Sequence, residues 1–314
     1  MAVSLWKFGG LTPLRLGKRV WKKIDEDAIF SHAAELSYYF LLALFPLLLF
    51  MISMLGLFAG PGTSLRESLF ENMARVVPGS ASELVQKTLT EVNHSAGGGK
   101  VLFGIMAALW AASNGMIAIC TTLNIAYHVK ETRSWLKSRA TALGLTVGLS
   151  LLLIIAITLV LYGGKIAEFI AAHVGFGSAF IIAWKILQWP VVVVFMLAAF
   201  SLVYYFAPNL EKPEWIWVTP GAIAGFVLWF LGSIIFRIYL HYFNNYSATY
   251  GSLGAVIILM LWFYITGASI LIGGEVNSQI GHAAEEKAKL EARLKKATLL
   301  PEHYRHRDEE RKAA

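Results

Sequence analysis

The chain has 314 residues, of which 57% are hydrophobic and 15% are charged, and its formal net charge is +7. Ordinary soluble domains contain roughly 45–50% apolar and about 25% charged residues. The composition therefore excludes a soluble enzyme, a disordered protein and a disulfide scaffold. Cys120 is the single cysteine, so no intramolecular disulfide can form.

The first predicted element is a basic amphipathic helix near the amino terminus. Apolar residues lie on one arc of a helical wheel and basic residues on the opposite arc: Leu14, Leu16, Val20, Trp21 and Ile24 against Arg15, Lys18, Arg19 and Lys22. This pattern is typical of a helix in the membrane interface, where anionic headgroups attract the basic side chains. We predict that residues 1–33 form a cytoplasmic arm on anionic lipid, which explains the basic charge without nucleic acid. A solvated juxtamembrane arm is the alternative.

Six stretches without Asp, Glu, Lys or Arg follow, each long enough for a membrane-spanning helix of about 20 residues. The stretches are 36–65, 101–129, 140–164, 186–210, 215–236 and 238–274. The predicted span cores are about 35–58, 102–126, 141–163, 185–206, 216–236 and 253–274, two of which begin on the flanking charged residue, Glu35 or Lys185. Twenty of the 27 Lys and Arg residues lie on the side that holds both termini, and short basic loops stay in the cytoplasm. The sequence therefore predicts an all-α polytopic membrane protein, with six spans in residues 34–277 and both termini cytoplasmic.

Two segments outside the spans are also predicted to be helical. Residues 60–100 hold two short amphipathic stretches separated by Pro78-Gly79, and we expect a helical cap on the outer face. The charged cytoplasmic tail, 278–314, places Glu285 four residues before Lys289. That spacing indicates a solvated helix over about 283–297.

Polar residues in the spans are candidates for function because they are costly in hydrocarbon. The orientation places Asn114 near the midplane and Glu35, Asn124 and Glu275 near the cytoplasm. We interpret Glu35, Asn124, Arg133 and Glu275 as one inner vestibule, a proton-coupled or headgroup-binding site. The alternative is that the carboxylates are hydrated and pair with loop arginines. For Asn114, a site role and a packing hydrogen bond stay equally open.

Catalytic and cofactor motifs are missing from the sequence. His303 and His306 form a close pair, but no Cys or carboxylate lies near them at metal-ligand spacing. There is no Walker A sequence, no dinucleotide-binding GxGxxG and no serine nucleophile elbow. We expect no catalytic residue, no cofactor, no metal and no ATP-driven transport by this chain alone.

Several motifs together resemble the YihY/virulence factor BrkB family over about residues 25–280. They are Ala33-Ala34-Glu35-Leu36-Ser37-Tyr38-Tyr39 with Leu44-Phe45-Pro46, Asn124-Ile125-Ala126-Tyr127 with Glu131-Thr132-Arg133, Ala207-Pro208-Asn209, Pro220-Gly221-Ala222, Tyr250-Gly251-Ser252-Leu253-Gly254, and Gly273-Gly274-Glu275-Val276-Asn277. The resemblance implies a bacterial inner-membrane protein with six transmembrane helices. It also implies a link to serum resistance and envelope lipid handling, with transport of a lipid or amphipathic compound suggested. Members formerly carried the name ribonuclease BN, which is now regarded as mistaken.

The resemblance marks motif positions without giving their roles. From their depth and chemistry, the predicted polar lining is Glu35, Tyr39, Asn114, Asn124, Arg133, Glu275 and Asn277. The predicted structural positions are Pro46, Tyr127, Pro220, Gly221, Tyr250, Gly251 and Gly254. We expect Gly251 and Gly254 to permit a tight turn and close helix contact at the outer start of span six. We expect Arg133 and Glu275 to pair, because an unpaired charge at a dry boundary is costly.

The leading hypothesis is a transporter or translocation factor for a lipid or amphipathic envelope compound. The alternative is a non-transporting scaffold that uses the outer loop to bind an envelope protein or a second copy of the chain. A membrane-bound hydrolase or nuclease is the third hypothesis, and no motif supports it. A transporter requires a cavity that reaches the midplane and is lined by Asn114 and at least one carboxylate. A scaffold requires no such cavity and should present an apolar patch on the outer side.

Overall fold

A computed structural model describes residues 5–58, 98–174, 178–211, 215–242 and 252–298. Within these ranges all regular secondary structure is helical. A 3-10 turn, Leu5–Gly10, precedes seven α-helices: α1 Pro13–Glu26, α2 Ile29–Phe58, α3 Gly98–Ala126, α4 Trp135–Val174, α5 Ser178–Phe206, α6 Pro220–Tyr242 and α7 Ser252–Thr298. The predicted outer cap, except for its last three residues, lies outside the described residues, as do Tyr250, Gly251 and the end of the tail.

Five of the described helices are long and apolar enough to cross a membrane. They are Gly104–Ala126, Trp135–His173, Phe180–Phe206, Pro220–Tyr242 and Val256–Lys295. Helix α2, where the first span is predicted, is apolar over Ile29–Leu44 within the part whose side chains are described, and the helix itself continues to Phe58. The all-helical membrane class is confirmed, and the count of six spans stays a prediction.

Two helices extend well beyond the predicted span cores. Helix α4 has 40 residues and α7 has 47. Helix α7 continues without interruption through the predicted tail helix, because residues 283–298 are rich in Ala, Glu, Lys and Leu, which are strong helix formers. The expected pair is present in this extension, with Lys289 Nζ 2.5 Å from Glu285 Oε1.

Helix α7 lies at the centre of the packing. It contacts α2, α3, α6, α1 and the 3-10 turn, while α4 packs between α3 and α5. Leu271 and Ile280 of α7 are fully buried, and they share one apolar core with Leu36 of α2 and Leu123 of α3. The polar residues of these helices are therefore positioned relative to α7.

The start of α6 docks on α7 through backbone contact. A Cβ atom on Gly221 would overlap the carbonyl oxygen of Gly273 and the side chain of Asn277. Asn277 Oδ1 accepts from the Gly221 N–H at 2.8 Å, and its Nδ2 donates to Thr219 Oγ1 at 2.9 Å. Pro220 occupies the first helical position, where its missing N–H costs nothing. The Pro220-Gly221 motif thus fixes the contact between α6 and α7.

The amino-terminal arm is a helix, but its apolar arc faces two environments. Thr12 caps α1 and Pro13 follows at its first position. Three apolar residues of the arc, Leu16, Val20 and Ile24, belong to the buried core. Leu14 and Trp21 are 73% and 72% exposed. The arc predicted to face lipid therefore divides, and only Leu14 and Trp21 remain outside the protein.

Candidate functional site

A cavity of about 410 Å³ lies between α2 and α3. Glu35, Tyr39 and Pro46 line it from α2, and Asn114 and Thr121 line it from α3. Residues three, four or seven apart share one helical face, which is why these positions point into the same space. The structure therefore brings three residues of the predicted polar lining together here. The rest of the wall is small or apolar: Leu42, Ala43, Ala111, Ile117 and Ala118.

The two ends of this cavity differ in charge. Glu35 is half exposed, and its Oε2 lies 3.1 Å from His32 Nδ1. Asn114 lies about two turns deeper along the facing helix, and its Oδ1 accepts from Arg139 Nη1 at 2.8 Å. The cavity thus has an acidic, solvated end at Glu35 and an amide end at Asn114, where the amide is hydrogen-bonded to the Arg139 guanidinium.

Arg139 is the residue at this site that sequence reasoning missed. It is 4% exposed, donates from Nη2 to the Trp110 carbonyl at 2.6 Å, and stacks over the Trp110 ring at 3.8 Å. In the sequence it looks like one more basic residue of the loop before the third span. In the structure Arg139 already belongs to α4, which begins at Trp135, and its side chain faces α3. No motif in the sequence indicates that orientation.

A second cluster of polar side chains joins the α3–α4 connection to the end of α5. Asn124 donates from Nδ2 to Glu131 at 3.0 Å and accepts the backbone N–H of Asn209 at 2.7 Å. Arg133 binds Glu131 at 2.7 Å and donates to the carbonyls of Phe206 and Ala207. These contacts hold the pKa of the Glu131 carboxyl down to about 2, chiefly through its hydrogen bond from Arg133.

The predicted pairing of Arg133 with Glu275 is therefore wrong. Arg133 pairs with Glu131, two residues away in the same connection. Glu275 instead accepts from Gln279 Nε2 at 2.8 Å on α7. Depth in the membrane predicts which residues are level with one another, but it does not predict the direction in which each side chain points. Glu35, Asn124, Arg133 and Glu275 accordingly do not form one vestibule.

Two further motif residues, Tyr127 and Asn277, line a larger cavity of about 550 Å³ beside α7 together with Tyr204 and His282. Both polar ends of the Asn277 amide are already engaged with α6, so this residue serves the helix contact. Gly254 is buried near the start of α7.

Glu275 belongs to a third group that is assembled from distant parts of the chain. A ligand atom of Asp27, one of His128 and one of Glu275 all lie within 4.8 Å of one another. The sequence predicts no metal-ligating group, because these residues are about 100 and 150 positions apart and match no spacing rule. Only the packing of α1 and of the α3–α4 connection against α7 reveals the group.

Comparison with known proteins gives one consistent result. The family described as Virulence factor BrkB matches residues 20–297. The ribonuclease-like protein YfkH of Bacillus subtilis is 39% identical over 248 residues, which cover 79% of this chain and 88% of that protein. A UPF0761 membrane protein of Vibrio parahaemolyticus is 31% identical, and the alignment covers 84% of this chain and 81% of that protein. A UPF0761 membrane protein of Haemophilus influenzae is 27% identical, and the alignment covers 90% of this chain and 98% of that protein. No solved structure matches.

Proposed function

Since this chain belongs to the virulence factor BrkB family of membrane proteins, we propose that it moves a lipid or another amphipathic envelope compound across or within the bacterial inner membrane. The cavity between α2 and α3 carries the proposal. It is lined by Asn114 and by one carboxylate, Glu35, which is the combination a transporter requires. A scaffold requires no such cavity.

The size and the wall of the cavity suit part of an amphipathic molecule. Ligand sites commonly measure about 300–1,000 Å³ and combine an apolar wall with a few polar groups, and this cavity has 410 Å³. Leu42 on its wall is 55% exposed, so the cavity is open at the surface of α2. We infer that a headgroup would enter while an acyl chain stayed outside along the apolar helix surface.

The charge at the deep end favours an anionic group. The Arg139 guanidinium is buried behind Asn114, and no carboxylate pairs with it among the residues that the structure describes. A cation removed from water attracts an anion much more strongly than an exposed one does. The acidic Glu35 lies at the other end beside His32, so a phosphate or carboxylate headgroup would be oriented towards Asn114.

The proposed topology has α2 as the first of six spans, with both termini in the cytoplasm. The cytoplasmic arm would then meet the membrane with Leu14 and Trp21, next to exposed Lys18 and Lys22. Apolar side chains flanked by lysines are favoured at an anionic lipid surface. In this arrangement Glu35 marks the cytoplasmic end of the cavity.

Native mass spectrometry of the protein released from nanodiscs made of its own membrane lipids would test the proposal. We expect one lipid or amphipathic species to be enriched on the wild type and lost from Asn114→Ala and Glu35→Ala. The matched control is Lys287→Ala, an exposed charge on the tail part of α7, which should keep the ligand. Equal binding of bulk lipid by all four proteins would contradict transport through this cavity and favour the scaffold.

A further inference from the structure

Three metal-ligating side chains from separate elements meet against α7. Asp27 directly follows α1, His128 lies just after α3, and Glu275 is on α7 itself. Their ligand atoms lie within 4.8 Å of one another. From this geometry we propose that Asp27, His128 and Glu275 bind a divalent transition-metal ion, which fastens the amino-terminal arm and the α3–α4 connection to α7. The inference does not depend on the proposed transport activity.

The burial of Glu275 is the first support for a cation. Its side chain is 0% exposed, and only Oε1 is engaged, by Gln279. Glu275 Oε2 and Asp27 Oδ2 are both buried without a hydrogen bond in the described structure. Buried carboxylate oxygens without a partner are strongly unfavourable, and a shared cation would satisfy both at once.

The distance between two of the groups is the second support. His128 Nε2 is 3.4 Å from Asp27 Oδ2. That is longer than a good N–H···O hydrogen bond of about 2.7–3.2 Å. It is close to the separation of roughly 3.4 Å expected for two ligands that each lie about 2.0–2.1 Å from a tetrahedral zinc ion.

The backbone has an uncommon conformation at or next to two of the three ligands. His128 has φ +53° and Ala28, which directly follows Asp27, has φ +48°. Left-handed backbone is rare in residues other than glycine. The chain therefore adopts an unfavourable conformation at the two connections that present the ligands.

The surrounding charges do not replace a metal. Lys23 acts electrostatically on both acids, but its Nζ already pairs with Glu26 at 2.8 Å. The His282 ring lies 5.6 Å from that of His128 and lines the larger cavity. It is a candidate for a fourth ligand or for a hydrogen-bonding partner of the site.

The donor set indicates the kind of ion. One imidazole nitrogen with two carboxylate oxygens suits Zn²⁺ or Mn²⁺ better than Ca²⁺ or Mg²⁺, which prefer oxygen ligands alone. Three protein ligands would leave a further position for water or for His282. His128 is one-third exposed, so the ion can reach the site from the aqueous side.

Calorimetric titration of ZnCl₂, and separately of MnCl₂, into the full chain in detergent after chelator treatment tests this site. We expect saturable binding of one ion per chain. Asp27→Asn and Glu275→Gln keep the side-chain shapes and should weaken binding by at least about 100-fold, since each loses a charged ligand. The double variant His303→Ala/His306→Ala removes the closely spaced histidine pair of the tail and should bind as the wild type does.

Cobalt substitution adds a readout that does not depend on stability. Co²⁺ bound to the wild type should show visible ligand-field absorption, and His128→Gln should abolish it. Thermal unfolding without metal shows whether each variant is folded. Only the folded variants are used to judge whether loss of a ligand abolishes metal binding. The proposal is overturned if the wild type shows no one-to-one binding, if folded ligand variants bind normally, or if only the tail histidines matter.

Discussion

Replacing Arg133 with alanine should loosen the junction between the α3–α4 connection and the end of α5. The Arg133 side chain is 8% exposed and binds Glu131 at 2.7 Å. It also donates to the carbonyls of Phe206 at 3.2 Å and Ala207 at 2.9 Å. Truncation leaves one carboxylate without its counter-charge and two carbonyls at a helix end without their donor.

The magnitude follows from the pKa of Glu131. Hydrogen bonds from Arg133, with a smaller one from Asn124, lower it from 4.5 to about 2, and a difference of that size corresponds to about 3 kcal/mol. The Glu131 side chain is 36% exposed, so solvent screening reduces this contribution to roughly 1–2 kcal/mol. The two carbonyl hydrogen bonds add about 1.5 kcal/mol after partial hydration. The expected loss of stability is about 3 kcal/mol.

Thermal unfolding in detergent measures the loss, which should lower the Tm by roughly 6–12 °C at pH 7. Arg133→Lys keeps the charge but not the forked geometry, so it should lie between wild type and Arg133→Ala. The matched control is Lys137→Ala, an exposed cation four residues later, which should change the Tm little.

The pH dependence separates the ion pair from the carbonyl bonds. Because the pKa of Glu131 is lower in the folded protein, its contribution is fully present above pH 4.5 and is lost as the pH falls towards 2. The Tm difference between wild type and Arg133→Ala should therefore narrow below pH 4.5. A Tm difference under about 2 °C at pH 7, or one that stays constant down to pH 3, would refute this account of the junction.

Three further outcomes are expected. Gly221→Ala should separate α6 from α7 and lower stability by about 3 kcal/mol in thermal unfolding. The control Gly144→Ala adds a methyl group with no neighbour within 4 Å and should be neutral or slightly stabilising. Equal effects of the two variants would contradict a close contact between α6 and α7 at Gly221. In a transport assay, Glu275→Ala should reduce activity more than Lys287→Ala. Equal losses would show that activity does not depend on the buried carboxylate of Glu275 more than on an exposed charge of the tail. The purified protein should lack metal-dependent ribonuclease activity; an activity that survives repurification but disappears in Glu35→Gln would show the opposite.

The helices could be predicted from the sequence because long stretches without charge have few other stable structures in a membrane protein. Their ends could not, because charged residues continue a helix as readily as apolar ones do. Helix α7 shows this: it passes Glu275 and runs on to Thr298. The hydropathy of the chain changes there, but its helix propensity does not.

The sequence predicts the candidate site only where helical periodicity determines which residues share one face of a helix. Glu35 and Tyr39 are four residues apart on one helix, and Asn114 lies on the next predicted span, so a shared cavity follows once the two helices pack. Arg139 and the partner of Arg133 were not predictable in this way. Their positions depend on the rotation of each helix about its axis, which apolar residues on every side leave undetermined.

The Gly273-Gly274-Glu275 motif explains why Glu275 is closed off from water. Consecutive helical residues are about 100° apart, so each position meets a different neighbour. Gly273 contacts α6 at Gly221, and Gly274 faces Leu123 of α3, so both helices approach α7 closely on either side. Glu275 is left facing the arm and the α3–α4 connection, where Asp27, His128 and Gln279 supply polar atoms near its carboxylate. A larger residue at Gly274 would therefore push α3 outwards and expose Glu275, so it would weaken metal binding without removing a ligand.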